Sequence, residues 1–133
     1  MIGIVIVAHG GLAKEYLAAV EHVVGRQTGI HAIAIEEDHD RALKQQEIMA
    51  AADSVDTGDG VVVVTDMFGG SPSNLSLKAC VAGNRQIIYG ANLPMLIKLA
   101  KSRSLSVPEA VASSLEAGRK YINSYVGSGQ GSQ

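Results

Sequence analysis

The sequence predicts an α/β fold: an open, doubly wound, mostly parallel sheet of strand order 2-1-3-4, with helices on both faces. Three observations carry this expectation. Four short apolar runs, "IGIVIVA" (2–8), "IHAIAIE" (30–36), "GVVVVT" (60–65) and "QIIYG" (86–90), alternate with segments of helical character. The first and third runs are continuously apolar and β-branched rather than alternating, the pattern of strands covered on both faces. The spacing between runs fits a crossover helix, so the units read as right-handed βαβ.

The helices follow from local signals. "LAKEYLAAVEHVVG" places Leu12, Tyr16, Val20 and Val24 at helical spacing and ends on Gly25, a suitable C-terminal cap. From about Asp40 to Val55, Ile48, Ala51 and Val55 share one face. A third helix is expected from Pro72 to Ala82, with Ser71 as its N-cap, and "NLPMLIKLAKSR" supplies a fourth. "SVPEAVASSLEAGR" opens with a capping box, Ser106 and Glu109, with Pro108 in the first turn. The short "KYINSYV" reads as a last strand. Residues 1–126 are expected to form one domain and residues 127–133, "GSGQGSQ", a flexible tail.

Composition narrows the function. The chain has 133 residues, 47% of them hydrophobic, which suffices for one domain with a real core. Net charge is -2 and the basic residues form no run, which argues against nucleic acid as a partner. No apolar run approaches the roughly 20 residues of a membrane-spanning helix, so no membrane insertion is expected. The single cysteine, Cys80, reads as a buried helix residue, and with no signal-peptide pattern the chain is expected to be cytoplasmic. Neither G-x-G-x-x-G nor G-x-x-x-x-G-K-[ST] is present, so no nucleotide cofactor is expected. None of the four tyrosines lies in the rim loops, where a flavin would need stacking partners.

In a sheet of this order, ligands bind outside the carboxyl ends of strands 1 and 3, where the strand order reverses. Those ends are "IVAHGG" (6–11) and "VTDMFGGSPSN" (64–74), so His9 and Asp66 are expected to face one another. A carboxylate that accepts one imidazole N–H leaves the other ring nitrogen with a free lone pair. The helix opening at Ser71 then offers N–H groups and a positive dipole end, while Gly69 and Gly70 let backbone come close to a ligand. This combination points to a histidine nucleophile aimed at phosphorus, with His9 and Asp66 as catalytic residues and Gly69, Gly70 and Ser71 holding phosphoryl oxygens. Gly10, Phe68 and Asn92 are candidates for the rim. His22 and His31 read as solvated, and "EEDHD" (36–40) as a strand-to-helix loop, so no metal site is expected.

"AHG" after strand 1, "TDMFGGSPSN" after strand 3 and "GANLPML" after strand 4 resemble the mannose-type IIA proteins of the bacterial phosphotransferase system, in order and over about residues 1–125. The resemblance implies a phosphocarrier that accepts a phosphoryl group from phosphorylated HPr on His9 and passes it to a IIB protein, for sugar uptake or for regulation. It also implies a homodimer in which the C-terminal strand, here "KYINSYV", is antiparallel and exchanged between protomers. Members commonly carry Phe where this chain has Ser73, and many continue into a IIB domain. Two alternatives share the residues: a regulator that docks according to its phosphorylation state, and a small tetrapyrrole metal chelatase, which also carries "HG" after its first strand.

Overall fold

A computed structural model of the chain describes residues 1–67, 70–81 and 83–127. The elements run β1 (Gly3–His9), α1 (Leu12–Val24), β2 (Ile30–Ile35), α2 (Arg41–Val55), β3 (Val61–Thr65), α3 (Ser71–Ser76), a 3₁₀ turn (Leu77–Cys80), β4 (Arg85–Ile88), α4 (Leu93–Lys101) and α5 (Val107–Lys120). The sheet has the expected order β2-β1-β3-β4, and every pairing is parallel. In the β1–β3 ladder Gly3 pairs with Val61 and Val7 with Thr65, so β1 runs two residues past the end of β3, to His9.

Alternation along the central strands divides the core in two. Ile4, Ile6, Ala8, Val62 and Val64 pack with Ala13 and Val20 of α1, Met95 and Leu99 of α4, and Val107 and Ala110 of α5. Val5, Val7, Val61 and Val63 pack on the other face with Ile48, Ala52 and Val55 of α2 and Leu75 of α3. Both faces being covered explains why β1 and β3 are apolar at every position.

Caps fix where three helices begin. Asp40 accepts from the Leu43 N–H at 3.0 Å, Asn92 from the Met95 N–H at 3.0 Å, and the Ser106 hydroxyl from the Glu109 N–H at 3.3 Å. In the last of these the Glu109 carboxylate takes the Ser106 hydroxyl at 2.8 Å, a variant of the expected capping box. Leu12, expected on the buried stripe of α1, is 42% exposed; Ala13 fills that position in the core.

The expected extent of the third helix is corrected. The third helix is not continuous: α3 stops at Ser76 and tightens to 3₁₀ geometry over Leu77–Cys80, while Ala82 lies outside the described residues. The Ser76 hydroxyl donates to the Pro72 carbonyl at 2.6 Å and that of Ser73 to Gly70 at 3.0 Å, back-bonding that competes with the α ladder. In the segment expected to form an exchanged C-terminal strand, the single chain carries one β-bridge, at Tyr125. Of the tail, only Gly127 is among the described residues.

Candidate functional site

His9 is the last residue of β1 and Asp66 follows the last residue of β3, so the parallel register brings them together at the switch point. Asp66 Oδ2 accepts from the His9 backbone N–H at 3.0 Å and lies 2.8 Å from His9 Nδ1. The carboxylate side chain is 10% exposed and the imidazole 48%. Nδ1 is therefore the nitrogen that carries the proton, and Nε2 keeps its lone pair on the open side of the ring. Burial works to raise the Asp66 pKa, but the His9 backbone N–H, the ring hydrogen bond and the ring's charge together hold it below the ordinary carboxylate value. The second oxygen, Oδ1, and the Thr65 hydroxyl are buried and find no hydrogen-bond partner among the described residues.

Among the described residues of the β3–α3 junction, Gly70 lies against the imidazole. A Cβ built there would lie 3.2 Å from His9 Cε1 and 3.6 Å from His9 Nε2. Its φ of -87° and ψ of 175° suit any residue, so the glycine is explained by the approach of the imidazole and not by its backbone. Gly70 is also the N-cap of α3, because its carbonyl accepts the first helical bond, from Asn74 N–H at 3.1 Å. Ser71, expected as that cap, is instead the first helical residue, half-buried beside Gly70. The first N–H groups of a helix have no intrahelical acceptor, and here they begin next to the imidazole.

Other candidates divide. Gly10 continues from His9 at φ 55°, the left-handed turn that carries the chain into α1, and its N–H is held by the Ile35 carbonyl at 3.0 Å. Asn92 caps α4 and donates to the Gly118 carbonyl at 2.8 Å, so it ties α4 to α5 and its polar atoms are occupied away from His9. Phe68 and Gly69 lie outside the described residues. His22 and His31 are exposed, with His31 Nε2 3.3 Å from the Ser54 hydroxyl, and His39 Nδ1 meets the Glu36 carbonyl at 2.8 Å. Among the described residues no group of three or more His, Cys, Asp or Glu could hold a metal ion. Cys80 is partly buried, and burial pushes its thiol up to about 11, against nucleophilic use.

Sequence reasoning missed Tyr16. It sits on α1, outside every rim loop, yet its hydroxyl donates to the Ala91 carbonyl at 3.1 Å, and the Ala91 N–H donates to Thr65 at 3.0 Å. The helical spacing to Val20 was the available signal that its ring turns toward the sheet. A groove of about 710 Å³ between α4 and α5, lined by Pro94, Ile97, Lys98, Lys101 and Lys120 among others, contains none of the site residues. Its lysines fall in the last turns of those helices, where they complement the helix dipole.

A parallel α/β sheet with a histidine–carboxylate pair and a glycine-spaced helix mouth at its switch point is a frame suited to an anionic ligand. Residues 3–116 match the family described as "PTS system fructose IIA component", EIIA-man, and the chain belongs to that family of phosphotransferase-system components. It is 31% identical over 124 residues to the mannose-specific EIIAB component of Escherichia coli K12, covering 91% of this chain and 38% of that relative. It is 27% identical over 111 residues to the sorbose-specific EIIA component of Lacticaseibacillus casei, covering 82% of this chain and 80% of that one. The crystal structure of the phosphotransferase system component EIIA from Streptococcus agalactiae superposes with a TM-score of 0.84 at 25% identity, covering 94% of this chain and 98% of the other. The chain thus spans well under half the length of the EIIAB relative. Family membership sets the chelatase alternative aside. No helix among the described residues is long and apolar enough to cross a membrane.

Proposed function

We propose that the chain is a phosphocarrier in which His9 Nε2 receives a phosphoryl group and passes it on. The observation that carries this reading is the pairing of Asp66 Oδ2 with Nδ1 at 2.8 Å, which leaves Nε2 as the nucleophilic nitrogen beside Gly70. The Nε2 lone pair forms a P–N bond as the bond from phosphorus to the donor's nitrogen breaks, the donor keeping that electron pair. Nδ1 retains its proton throughout, and the Asp66 carboxylate balances the positive charge that develops on the ring. Ser71, Gly69 and Gly70, with the N–H groups that open α3, cradle the phosphoryl oxygens. Transfer onward reverses the step, the receiver's nucleophile taking the phosphorus and Nε2 recovering its lone pair.

Following the family, the donor is phosphorylated HPr and the receiver a IIB protein, with sugar uptake or regulation as the output. A homodimer is part of the same proposal. Ile122, Tyr125 and Val126 are 74%, 69% and 52% exposed, and β4 is an edge strand with an open side, so exchange of this segment would cover both. The test is intact-mass analysis after incubation with phosphoenolpyruvate, the system's first enzyme and HPr, under alkaline conditions. One phosphoryl group on the wild type and none on His9→Ala is the expected result. An equally labelled His9→Ala protein rules His9 out as the carrier.

A further inference from the structure

Tyr16 is a buried-side hydroxyl that the transfer chemistry does not use, held at a point where three elements of the site converge. Its ring packs with the α1, α4 and α5 core, and its hydroxyl crosses to the β4–α4 junction, donating to the Ala91 carbonyl at 3.1 Å. The same residue reaches the other way, since the Ala91 N–H donates to the Thr65 carbonyl at 3.0 Å. Thr65 is the last residue of β3, and the next is Asp66. Two hydrogen bonds and one peptide link therefore join the α1 hydroxyl to the carboxylate that holds the imidazole.

We propose that Tyr16 is a positioning residue for the His9–Asp66 pair: its hydroxyl locks the Ala91 turn against the end of β3 and so fixes the direction in which Asp66 meets Nδ1. The geometry gives such a lock a purpose. Asp66 lies beyond the last ladder pair of β3, and its Oδ1 has no partner among the described residues, so one oxygen on His9 is what orients it from the ring side. A constraint on its backbone comes from Thr65, whose carbonyl is the atom held by Ala91. The electrostatics agree that the hydroxyl and the carboxylate are close: burial raises the Tyr16 pKa, and the Asp66 charge raises it further. Both effects favour the protonated hydroxyl, the form that donates.

Because the proposal takes His9–Asp66 as the working pair, it rests on the phosphocarrier reading, and the first measurement avoids phosphorylation. Tyr16→Phe keeps the ring and removes only the hydroxyl, with Tyr121→Phe, at a 65% exposed site, as control. Nitrogen-15 NMR of the unphosphorylated protein follows the His9 Nδ1–H. In Tyr16→Phe its exchange with water is expected to rise about 3- to 10-fold, the range that one net hydrogen bond supports, with a larger share of the Nε2–H tautomer. The rate of labelling by phosphorylated HPr should fall by a similar factor, with the final extent unchanged. A Tyr16→Phe protein with a lowered unfolding midpoint but wild-type exchange and tautomer at His9 overturns the proposal and leaves Tyr16 a packing residue. If even wild type takes up no phosphoryl group, the carrier reading fails, and the NMR comparison still decides for or against Tyr16.

Discussion

Gly70→Ala isolates the chemistry of the site from the stability of the fold. The added methyl would sit 3.2 Å from His9 Cε1, 3.6 Å from Nε2 and 3.5 Å from Met67 Cγ. The first distance is too short for rest, so the imidazole has to yield by a few tenths of an ångström. It can do so only by straining the 2.8 Å contact with Asp66. The methyl also occupies one side of the volume in front of Nε2, where a transferable phosphorus must approach to about 3–3.5 Å in line. Stability should barely move. An alanine N-cap costs about 0.5–1 kcal/mol relative to a good cap, while losing glycine's freedom in the unfolded chain returns about 0.4–1 kcal/mol. Misplacement of a reacting atom by about 1 Å costs on the order of 100-fold in rate, and the smaller displacement plus the blocked side should bring labelling down by roughly 10- to 100-fold. Quenched-flow labelling from phosphorylated HPr, with urea unfolding of the same preparation, measures both quantities. Wild-type labelling by a stably folded Gly70→Ala protein would refute the placement of the phosphoryl group beside this glycine.

Asp66→Asn removes a charge-assisted hydrogen bond worth about 1.5–3 kcal/mol, so labelling should slow roughly 10- to 100-fold without being abolished. Because the folded Asp66 pKa is depressed, its contribution to stability is present above the ordinary carboxylate value of about 3.9 and lost as pH falls through the folded value. The gap in thermal midpoint between wild type and Asp66→Asn should therefore narrow below about pH 3.9, and a gap that widens there contradicts the assignment. Arg103, 4% exposed, donates to the carbonyls of Ile2, Thr28 and Gly29, so Arg103→Met should cost about 3 kcal/mol or more in urea unfolding by leaving buried acceptors unpaired. Cys80, with its thiol pushed up to about 11, should react with iodoacetamide at pH 8 about 100-fold more slowly than a free cysteine, and reaction at the free rate would show it to be exposed.

The sheet was legible because β1 and β3 are covered on both faces, and coverage leaves no polar position to blur the pattern. The His9–Asp66 pairing was legible for a related reason: once the strand order is known, the carboxyl ends of adjacent parallel strands 1 and 3 lie on one rim, where the end of β1 and the residue after β3 meet. The start of α3 was off by one residue because Gly70, a residue with no side chain to signal a cap, supplies the carbonyl that begins the helix. Its early end was hidden because Ser73 and Ser76 read as ordinary helix residues, while their hydroxyls take backbone carbonyls. Tyr16 was invisible as a site residue since its partner, Ala91, is 75 positions away and offers only a backbone carbonyl. No side-chain pattern announces such a bond.

Parity along β1 decides which ring nitrogen is left for chemistry. Val5 and Val7 face the α2 and α3 layer, and His9, two residues on, emerges on that same face, where Gly70 lies against the ring. Tyr16 packs with the opposite layer. Asp66, arriving just past the end of β3, closes across the strand ends between them. One oxygen, Oδ2, accepts both from the His9 backbone N–H and from the ring, so it must lie near the main chain of His9. Of the two ring nitrogens Nδ1 is the one nearer the main chain, and a carboxylate held there can only meet Nδ1. Nε2 then points away from Asp66, toward the open side where α3 begins. A carboxylate one residue further along β3 would lose the backbone hydrogen bond that enforces this choice. In the proposed transfer, the nitrogen that would meet phosphorus is thus set by strand length and register, and Asp66 is as much a constraint on direction as a partner for charge.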